Sequence, residues 1–116
     1  MLKEGIIRKK ADFDRLYKGG KSAGDRYVVV FGRPNGLEKT RIAFLASKKV
    51  GNSVARNRAR RLMKESYRLS GEIIPKGTDV LFIARNTITD AKQGEVQQSM
   101  IKALKKAGIL KEINQK

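Results

Sequence analysis

Apolar residues recur along the chain with helical spacing in three segments and with the composition of strands in three others. The first segment is helical, because Phe13, Leu16 and Tyr17 fall at positions i, i+3 and i+4. These positions predict a short helix over residues 10–18. The pair Gly19-Gly20 follows it and is expected to supply the left-handed residue that commonly ends a helix.

Two strand-like runs come next. Residues 26–33 and 40–47 are rich in β-branched and aromatic side chains, which favour an extended backbone. The turn signal Pro34-Asn35-Gly36 lies between them, so the two runs are predicted to pair as an antiparallel hairpin with a long loop. Residues 48–52, after the second run, are expected to form a short strand or a loop.

The longest helical pattern covers residues 53–70. Ser53 is predicted as its N-cap, and Gly71 stands where the helix is expected to end. A helical wheel separates two faces. The face predicted to pack on a sheet consists of Ala55, Ala59, Leu62, Ser66 and Leu69. The opposite face is a basic arc that consists of Arg56, Asn57, Arg60, Arg61, Lys64 and Arg68.

The rest of the chain predicts one more strand and one more helix. Residues 79–85 contain five consecutive apolar residues and are expected to form a buried central strand. Helical spacing then returns before Gly108, at Val96, Met100, Ala103, Leu104 and Ala107. Residues 2–9 and 111–116 are expected to be disordered without a partner, because much of the chain's charge repels itself.

These elements predict a single domain over residues 1–116 of the α+β class. The expected order is α-β-β-β-α-β-α, a two-layer sandwich in which helices pack against one mixed sheet. The long helix would then be a crossover between two strands, and such a connection allows the strands to run parallel.

The charge indicates what the protein binds. Lys and Arg number 27 against 11 Asp and Glu, and the formal net charge is +16. Residues 48–68 carry eight basic residues and one acidic residue, a net +7, which leaves +9 for the other 95 residues. Like charges one turn apart destabilise a helix by roughly a few tenths of a kcal/mol per pair, so this helix is expected to meet an external anion. Arginine suits forked contacts with phosphate, and the predicted partner is a nucleic acid.

The residues that are missing exclude several classes of protein. The chain has no Cys and no His, which excludes disulfide scaffolds, cysteine-type zinc sites, iron–sulfur clusters and thiol nucleophiles, and removes the commonest general base. The closest pair of acids, Asp12 and Asp14, is predicted to point to different sides of its helix. A two-metal nuclease needs converging carboxylates, so the chain alone is not expected to cut a phosphodiester.

No apolar run approaches the ~20 residues of a membrane span, and the N-terminus lacks the apolar core of a signal peptide. We therefore expect a cytoplasmic protein without membrane contact.

The aromatic residues provide a second candidate site. Phe13 and Tyr17 share one face of the first helix, and Tyr27 and Phe31 share one face of a strand. These two rows could meet at the surface or could each enter the core, and the residues alone leave both interpretations open. Proteins that bind single strands stack bases on rings beside basic residues, which favours Phe13, Tyr17 and Phe31 for stacking. The aromatic residues predicted for the core are Phe44 and Phe82.

Residues 48–65 resemble a known signature. They read Lys-Lys-Val-Gly-Asn-Ser-Val-Ala-Arg-Asn-Arg-Ala-Arg-Arg-Leu-Met-Lys-Glu, so that a Lys-rich strand end, a Gly-Asn turn and an Arg-Asn-Arg helix follow one another. This order resembles the signature of the bacterial ribonuclease P protein subunit. The similarity extends along nearly the whole chain, to Lys10-Ala11-Asp12-Phe13, Tyr17, Gly20-Lys21-Ser22, the aromatic first strand and Ile83-Ala84-Arg85.

The resemblance implies a small basic subunit that assembles with ribonuclease P catalytic RNA, binds precursor tRNA and assists endonucleolytic removal of its 5′ leader. The fold would be ribosomal protein S5 domain 2-like, with a left-handed βαβ crossover that general rules rank as rare. Mg²⁺ would be bound mainly by the RNA subunit and the substrate. No protein side chain would be catalytic or would bind a metal, and no protein partner is evident.

By matching position, the resemblance also assigns two surfaces. The RNA-subunit surface, with Arg68 added from the basic arc, consists of Asn52, Arg56, Asn57, Arg58, Arg60, Arg61, Lys64 and Arg68. The leader cleft, between the first helix and the sheet, consists of Phe13, Tyr17, Phe31, Ser47, Lys48, Lys49 and Arg85. On the flank of the long helix, Arg58 is expected near Glu65, so that its guanidinium is partly occupied within the protein.

Three other functions are compatible with a basic helix. A ribosomal or RNA-assembly protein would use it as a structural contact with no link to cleavage. A DNA-binding protein would use it as a recognition helix, although Asn57 is the only amide on the face and its arginine neighbours favour phosphates. A cationic membrane-surface helix is disfavoured, because the opposite face is narrow and lacks aromatic residues.

Overall fold

Five strands and three α-helices build residues 5–110, the part of the chain that this computed structural model describes. The strands are β1 (Gly5–Ile6), β2 (Lys21–Gly24), β3 (Val28–Pro34), β4 (Arg41–Leu45) and β5 (Thr78–Ala84). The helices are α1 (Lys10–Gly19), α2 (Ser53–Ser70) and α3 (Gln93–Ala107), with a 3₁₀ helix at Asn86–Asp90 before α3. From α1 onward, the order of elements agrees with the predicted α-β-β-β-α-β-α. The additional strand is β2, which precedes the two predicted strands, and residues 48–52 do not form a strand.

The strands form one mixed sheet in the order β1-β4-β5-β3-β2. β5 is the central strand, as predicted, and pairs parallel with β4 and antiparallel with β3. β1 pairs parallel with β4, and β2 pairs antiparallel with β3. Because α2 connects β4 to β5, the predicted parallel crossover is confirmed, while the left-handed sense implied by the resemblance stays a prediction.

The predicted hairpin between residues 26–33 and 40–47 is wrong. β5 lies between β3 and β4 and pairs with both of them. β5 is apolar on both faces, so it is most stable with a strand on each edge and a helix layer on each face. A turn signal in the sequence between two strands does not show that a third, distant strand can pair between them.

The loop between β3 and β4 passes over the start of β5 and is hydrogen-bonded there. The Asn35 backbone N–H donates to the Gly77 carbonyl at 2.8 Å, and the Asn35 side-chain amide donates to Asp79 Oδ1 at 2.8 Å. The Thr40 hydroxyl donates to the Pro75 carbonyl at 2.9 Å. These bonds hold the two ends of the loop on either side of β5.

The sheet carries helices on both faces. α2 and α3 pack on one face over the larger core, where Phe44 and Phe82 stack with ring centroids 5.6 Å apart. The prediction of both residues for the core is confirmed. α1 packs on part of the other face, over a smaller core of Ile7, Leu16, Ala43 and Leu81.

α2 begins and packs slightly differently from the prediction. Its N-cap is Asn52 instead of Ser53, and the Asn52 side chain accepts a hydrogen bond from the Ala55 N–H at 3.0 Å. Gly71, at a φ of 76°, ends the helix as predicted. The buried residues of α2 are Ala59, Met63, Ser66 and Tyr67.

Leu69, predicted to face the sheet, is half exposed. Tyr67 takes that role, because its ring packs edge-on against Phe44 at 6.2 Å and lies 6.3 Å from Phe82. The helix thus turns its largest apolar side chain into the core.

Near α1, the end of the helix differs from the prediction. Neither Gly19 nor Gly20 has a positive φ, and Gly20 is extended with a φ of −84°. Glycine suits position 20 for a different reason: a Cβ there would come within 2.6 Å of the Leu16 carbonyl oxygen.

The predicted disorder of residues 2–9 is wrong where the chain is described, since Gly5–Ile6 form β1. Residues 2–4 and 111–116 lie outside the described residues. Residues 48–52 form a turn, with a hydrogen bond from Val50 N–H to the Ser47 carbonyl at 3.0 Å.

Tyr27 does not share a strand face with Phe31. It precedes β3, is buried in the larger core, and donates its backbone N–H to the Ser99 hydroxyl at 3.1 Å.

Candidate nucleic-acid interface

α1 is held on the sheet by a network of buried acids around one arginine. Asp12, in the first turn of α1, and Asp79, on β5, are both buried. Arg41, on β4, donates from Nε to Asp79 Oδ1 at 2.9 Å and from Nη2 to Asp79 Oδ2 at 2.6 Å. Its Nη1 lies 3.3 Å from Asp12 Oδ2, and Arg15 also pairs with Asp12. Forked contacts of this kind specify geometry, so the network sets the position of α1.

The network changes the ionisation of its members. A hydrogen bond from Arg15 lowers the pKa of Asp12 below its usual value of 3.8, and Arg41 acts in the same direction against the opposing effect of burial. The hydrogen bond to Asp79 raises the pKa of Arg41. The sequence analysis did not predict this network. The signal available in the sequence was a charged residue near the start of each of two apolar strands, Arg41 in β4 and Asp79 in β5.

The aromatic cleft, defined here by Phe13, Tyr17 and Phe31, lies between α1 and the sheet. The Tyr17 and Phe31 rings meet edge to face, with centroids 5.1 Å apart and planes at 77°. Phe13 and Phe31 are partly buried against the smaller core, whereas Tyr17 is 47% exposed. The aromatic row on α1, Phe13 with Tyr17, therefore meets a single ring of the sheet, that of Phe31. One side of this cluster packs on the core, and the Tyr17 ring keeps a surface that a base can stack on.

Basic residues lie at the end of the sheet where the C-termini of β4 and β5 are found. Ser47, Lys48 and Lys49 follow β4, and Arg85 follows β5. Because β4 and β5 are parallel, these residues lie at the same end of the sheet. The Ser47 hydroxyl accepts the Lys49 N–H at 3.2 Å, and both lysine side chains are exposed. A Cβ on Gly24 would lie 3.3 Å from Arg85 Nη1, so the Arg85 guanidinium lies beside β2.

The basic arc on α2 keeps its charge except at Arg68, which pairs with Glu65. Arg56 donates to the Ser53 hydroxyl at 3.2 Å, and Arg60 donates to Asn57 Oδ1. These neutral acceptors orient the guanidinium groups without neutralising them. Glu65, the only acidic residue of α2, is bound by Arg68 instead.

Arg58, which the resemblance also assigns to the RNA-subunit surface, lies outside the basic arc. Its Nη1 donates to the Thr89 carbonyl at 2.9 Å and its Nη2 donates to the Ala91 carbonyl at 3.1 Å. Its guanidinium is thus partly occupied, as expected, although Glu65 is not its partner. Glu65 accepts from Arg68 at 3.1 and 2.5 Å, and this contact lowers the pKa of the Glu65 carboxyl.

The described carboxylates do not suit a magnesium site. Residues 5–110 contain no group of three or more Asp or Glu side chains placed to hold a metal ion. The buried acids Asp12 and Asp79 are bound by Arg41, and the partly buried Asp25 is bound by Lys106 at 3.0 Å. None of the helices described between residues 5 and 110 is long and apolar enough to cross a membrane.

The sequence model of the family Ribonuclease P matches residues 1–108 of the chain. The chain belongs to the ribonuclease P protein family. The ribonuclease P protein component of Clostridium botulinum is 45% identical to it over 109 residues, which cover 93% of this chain and 98% of that protein. The Alkaliphilus oremlandii component is 40% identical over 104 residues, 90% of this chain and 91% of that protein.

Solved structures of ribonuclease P proteins have the same fold. The Staphylococcus aureus protein superposes with a TM-score of 0.81 at 34% identity, over 94% of this chain and 100% of that one. The Thermotoga maritima protein superposes with a TM-score of 0.74 at 29% identity, over 84% and 92%. The resemblance drawn from the sequence is thereby confirmed: the protein is a subunit of the ribonuclease P endoribonuclease holoenzyme.

Proposed function

We propose that this ribonuclease P protein binds the catalytic RNA through the basic arc of α2 and the 5′ leader of precursor tRNA through the aromatic cleft. The supporting observation is that α1, which carries Phe13 and Tyr17, and α2, which carries the basic arc, lie on opposite faces of the sheet. α2 covers the larger core, and α1 with the cleft covers the smaller one. Both RNAs can then be bound at once.

On the leader side, the Tyr17 ring offers a stacking surface and Phe31 holds that ring in place. Lys48, Lys49 and Arg85, at the edge where β4 and β5 end, provide positive charge for the leader backbone. Stacking and phosphate contacts carry little base information, so the protein is expected to accept many leader sequences.

On the RNA-subunit side, Arg56, Arg60, Arg61 and Lys64 present their charges from successive turns of one helix. Neutralising several phosphates releases counterions, so affinity should fall steeply as salt is raised. Arg58 and Asn52 contribute mainly by holding the 3₁₀ helix and the first turn of α2 in place.

No chemical step is assigned to a protein side chain. The buried and partly buried carboxylates Asp12, Asp79 and Asp25 are bound by arginine and lysine, which favours Mg²⁺ held by the RNA subunit and the substrate. The protein would contribute by positioning substrate and by lowering the repulsion between two RNAs. Its place of action would be the cytoplasm, with precursor tRNA as substrate.

Reconstitution with the matching RNA subunit at low Mg²⁺ tests this function. We expect the protein to stimulate 5′ leader removal, and the double variant Arg60→Ala, Arg61→Ala to need a higher protein concentration for the same rate. The matched control is Lys102→Ala, Lys105→Ala on α3, which removes the same charge from two exposed positions. If the parent protein binds the RNA without stimulating cleavage, the structural RNA-binding role is correct instead.

A further inference from the structure

A groove at the β4 edge of the sheet lies between the two surfaces above. It is lined by Phe13 of the aromatic cleft and by Arg60, Arg61 and Lys64 of the basic arc, and its apolar side chains from β1 and β4 have no role assigned so far. β1 pairs only with the first two residues of β4, Arg41 and Ile42, and the last bond on this side is from Ile7 N–H to the Ile42 carbonyl at 3.2 Å. Residues 43–45 therefore have no strand beside them on this edge in the described part of the chain. A groove of about 860 Å³ opens there, between β4 and the basic arc of α2.

The groove combines an apolar floor with a cationic rim. Ile6 and Leu45 both line it and are 52% and 37% exposed, so the groove contains an apolar patch that solvent reaches. Arg60, Arg61 and Lys64 stand on its rim. The acid on the rim is the Glu65 that Arg68 already binds. This combination suits a ligand with an apolar body and a negative charge.

The backbone of β4 adds a polar group to the floor. The carbonyls of Thr40 and Ile42 point toward β1 and accept the N–H groups of Gly5 and Ile7. Because the backbone polar groups of successive residues alternate in direction along a strand, the backbone of Phe44 presents its N–H and C=O to the same edge, where no described strand lies beside it. It can exchange hydrogen bonds with the polar edge of a flat ligand.

We propose that this groove takes one unstacked nucleotide of the RNA subunit, with its base against Ile6 and Leu45 and its phosphate against Arg61 and Lys64. The proposal rests on the proposed function, since it continues the RNA-subunit surface of α2 over the edge of the sheet. Proteins commonly recognise RNA through bases that are splayed out of the helix and hydrogen-bonded along their edges.

The geometry favours a nucleotide over an extended acidic peptide. A peptide would add a strand to β4, but only residues 43–45 are open, between β1 and the turn that starts at Ser47. Three residues are fewer than the five or six of an average strand, so strand addition would form few main-chain bonds. A compact ligand with one phosphate needs no longer stretch of open strand than these three residues.

Photochemical crosslinking tests the position of the nucleotide in the intact holoenzyme. A benzophenone side chain replaces Ile6, and in a control protein it replaces Leu37, which is 48% exposed in the loop after β3. We expect position 6 to crosslink to an unpaired nucleotide of the RNA subunit, with and without precursor tRNA, and position 37 not to do so. Crosslinks to the leader alone, to a protein, from both positions alike, or from neither would overturn the proposal.

Affinity for the RNA subunit provides the second test. Ile6→Asn and Leu45→Asn should each weaken binding between about tenfold and a hundredfold, the range for losing the burial of one Ile or Leu side chain. The dependence on salt should stay unchanged, because every phosphate keeps its cationic partner. Leu37→Asn is the matched control, and thermal unfolding of all three variants shows whether they fold.

The two tests separate this proposal from the proposed function. If Arg60→Ala with Arg61→Ala weakens RNA-subunit binding while folded Ile6→Asn and Leu45→Asn proteins bind normally, the groove is wrong and the α2 surface stands. If the arginine variant also binds normally, the proposed RNA-subunit surface is wrong as well.

Discussion

Arg41 holds Asp79 with two hydrogen bonds, although the two residues are 38 positions apart in the chain. The same guanidinium reaches Asp12 at 3.3 Å. One side chain thus joins the parallel strands β4 and β5 to the helix that carries Phe13 and Tyr17. The shape of the aromatic cleft therefore depends on a residue that does not line it.

Arg41→Met should lower the free energy of unfolding by roughly 2–3 kcal/mol, because it removes charge-assisted hydrogen bonds and leaves buried Asp79 without its guanidinium partner. Denaturation in urea, followed by circular dichroism, measures the change. Lys18→Met, at an exposed position near the end of α1, is the control and should change stability by less than about 0.5 kcal/mol. Equal losses in the two variants would contradict a special role for Arg41.

Acid should destabilise the fold through Asp12 and Asp25. Arg15 and Arg41 lower the pKa of Asp12, and although burial opposes it, hydrogen bonds from the Arg26 N–H, Lys106 and Ser99 lower the pKa of Asp25. A lowered folded-state pKa contributes stability that is complete above the unfolded value of 3.8 and is lost as the pH falls through the folded value. The free energy of unfolding should therefore fall below about pH 4.

Urea titrations at a series of pH values check this dependence. Asp12→Asn should give a shallower fall than the parent protein, since one of the contributing carboxylates is gone. Asp14→Asn, which removes an acid outside the network, is the control. Identical slopes for the parent and Asp12→Asn would show that Asp12 does not contribute to the pH dependence of the free energy of unfolding.

Tyr17→Ala should weaken precursor tRNA binding to the holoenzyme between about fivefold and a hundredfold, the range for one stacked base. Mature tRNA has no leader, so its affinity should stay the same. Tyr17→Phe keeps the ring and should bind both RNAs as the parent does. An equal loss for precursor and mature tRNA would remove Tyr17 from the leader cleft.

Arg61→Ala with Lys64→Ala should reduce the salt dependence of RNA-subunit binding. The slope of log Kd against log salt concentration should decrease in magnitude by roughly one for each phosphate that no longer meets a cationic side chain. Lys102→Ala with Lys105→Ala on α3 removes the same charge and should leave the slope unchanged. Binding measured between low and moderate salt distinguishes a local contact from an effect of net charge.

Arg58→Ala should behave differently from the other arginine variants. Its two hydrogen bonds to the Thr89 and Ala91 carbonyls hold the 3₁₀ helix, so its loss should cost about 1 kcal/mol of unfolding free energy. The salt dependence of RNA-subunit binding should remain that of the parent. A lower slope with unchanged stability would instead make Arg58 a direct phosphate contact.

The sequence by itself determined the three helices, the three longer strands and the chemistry of the partner. Helical spacing identified α2 with its observed bounds and α3 with its end before Gly108, and five consecutive apolar residues placed β5 at the centre of the sheet. The charge on residues 48–68 and the Arg-Asn-Arg segment led to the ribonuclease P family. These signals are local, because periodicity, caps and charge density depend on neighbours within a few turns.

Only the tertiary structure decided four features: the strand order, the rotation of α2 that buries Tyr67, the Arg41 network and the groove beside Leu45. Each depends on segments far apart in the chain that compete for the same buried space or edge. β5 lies between β3 and β4 because in that position helices cover both of its faces and strands pair with both of its edges. The groove exists because β1 ends after two residues that pair with β4. No local pattern records where a distant strand will end.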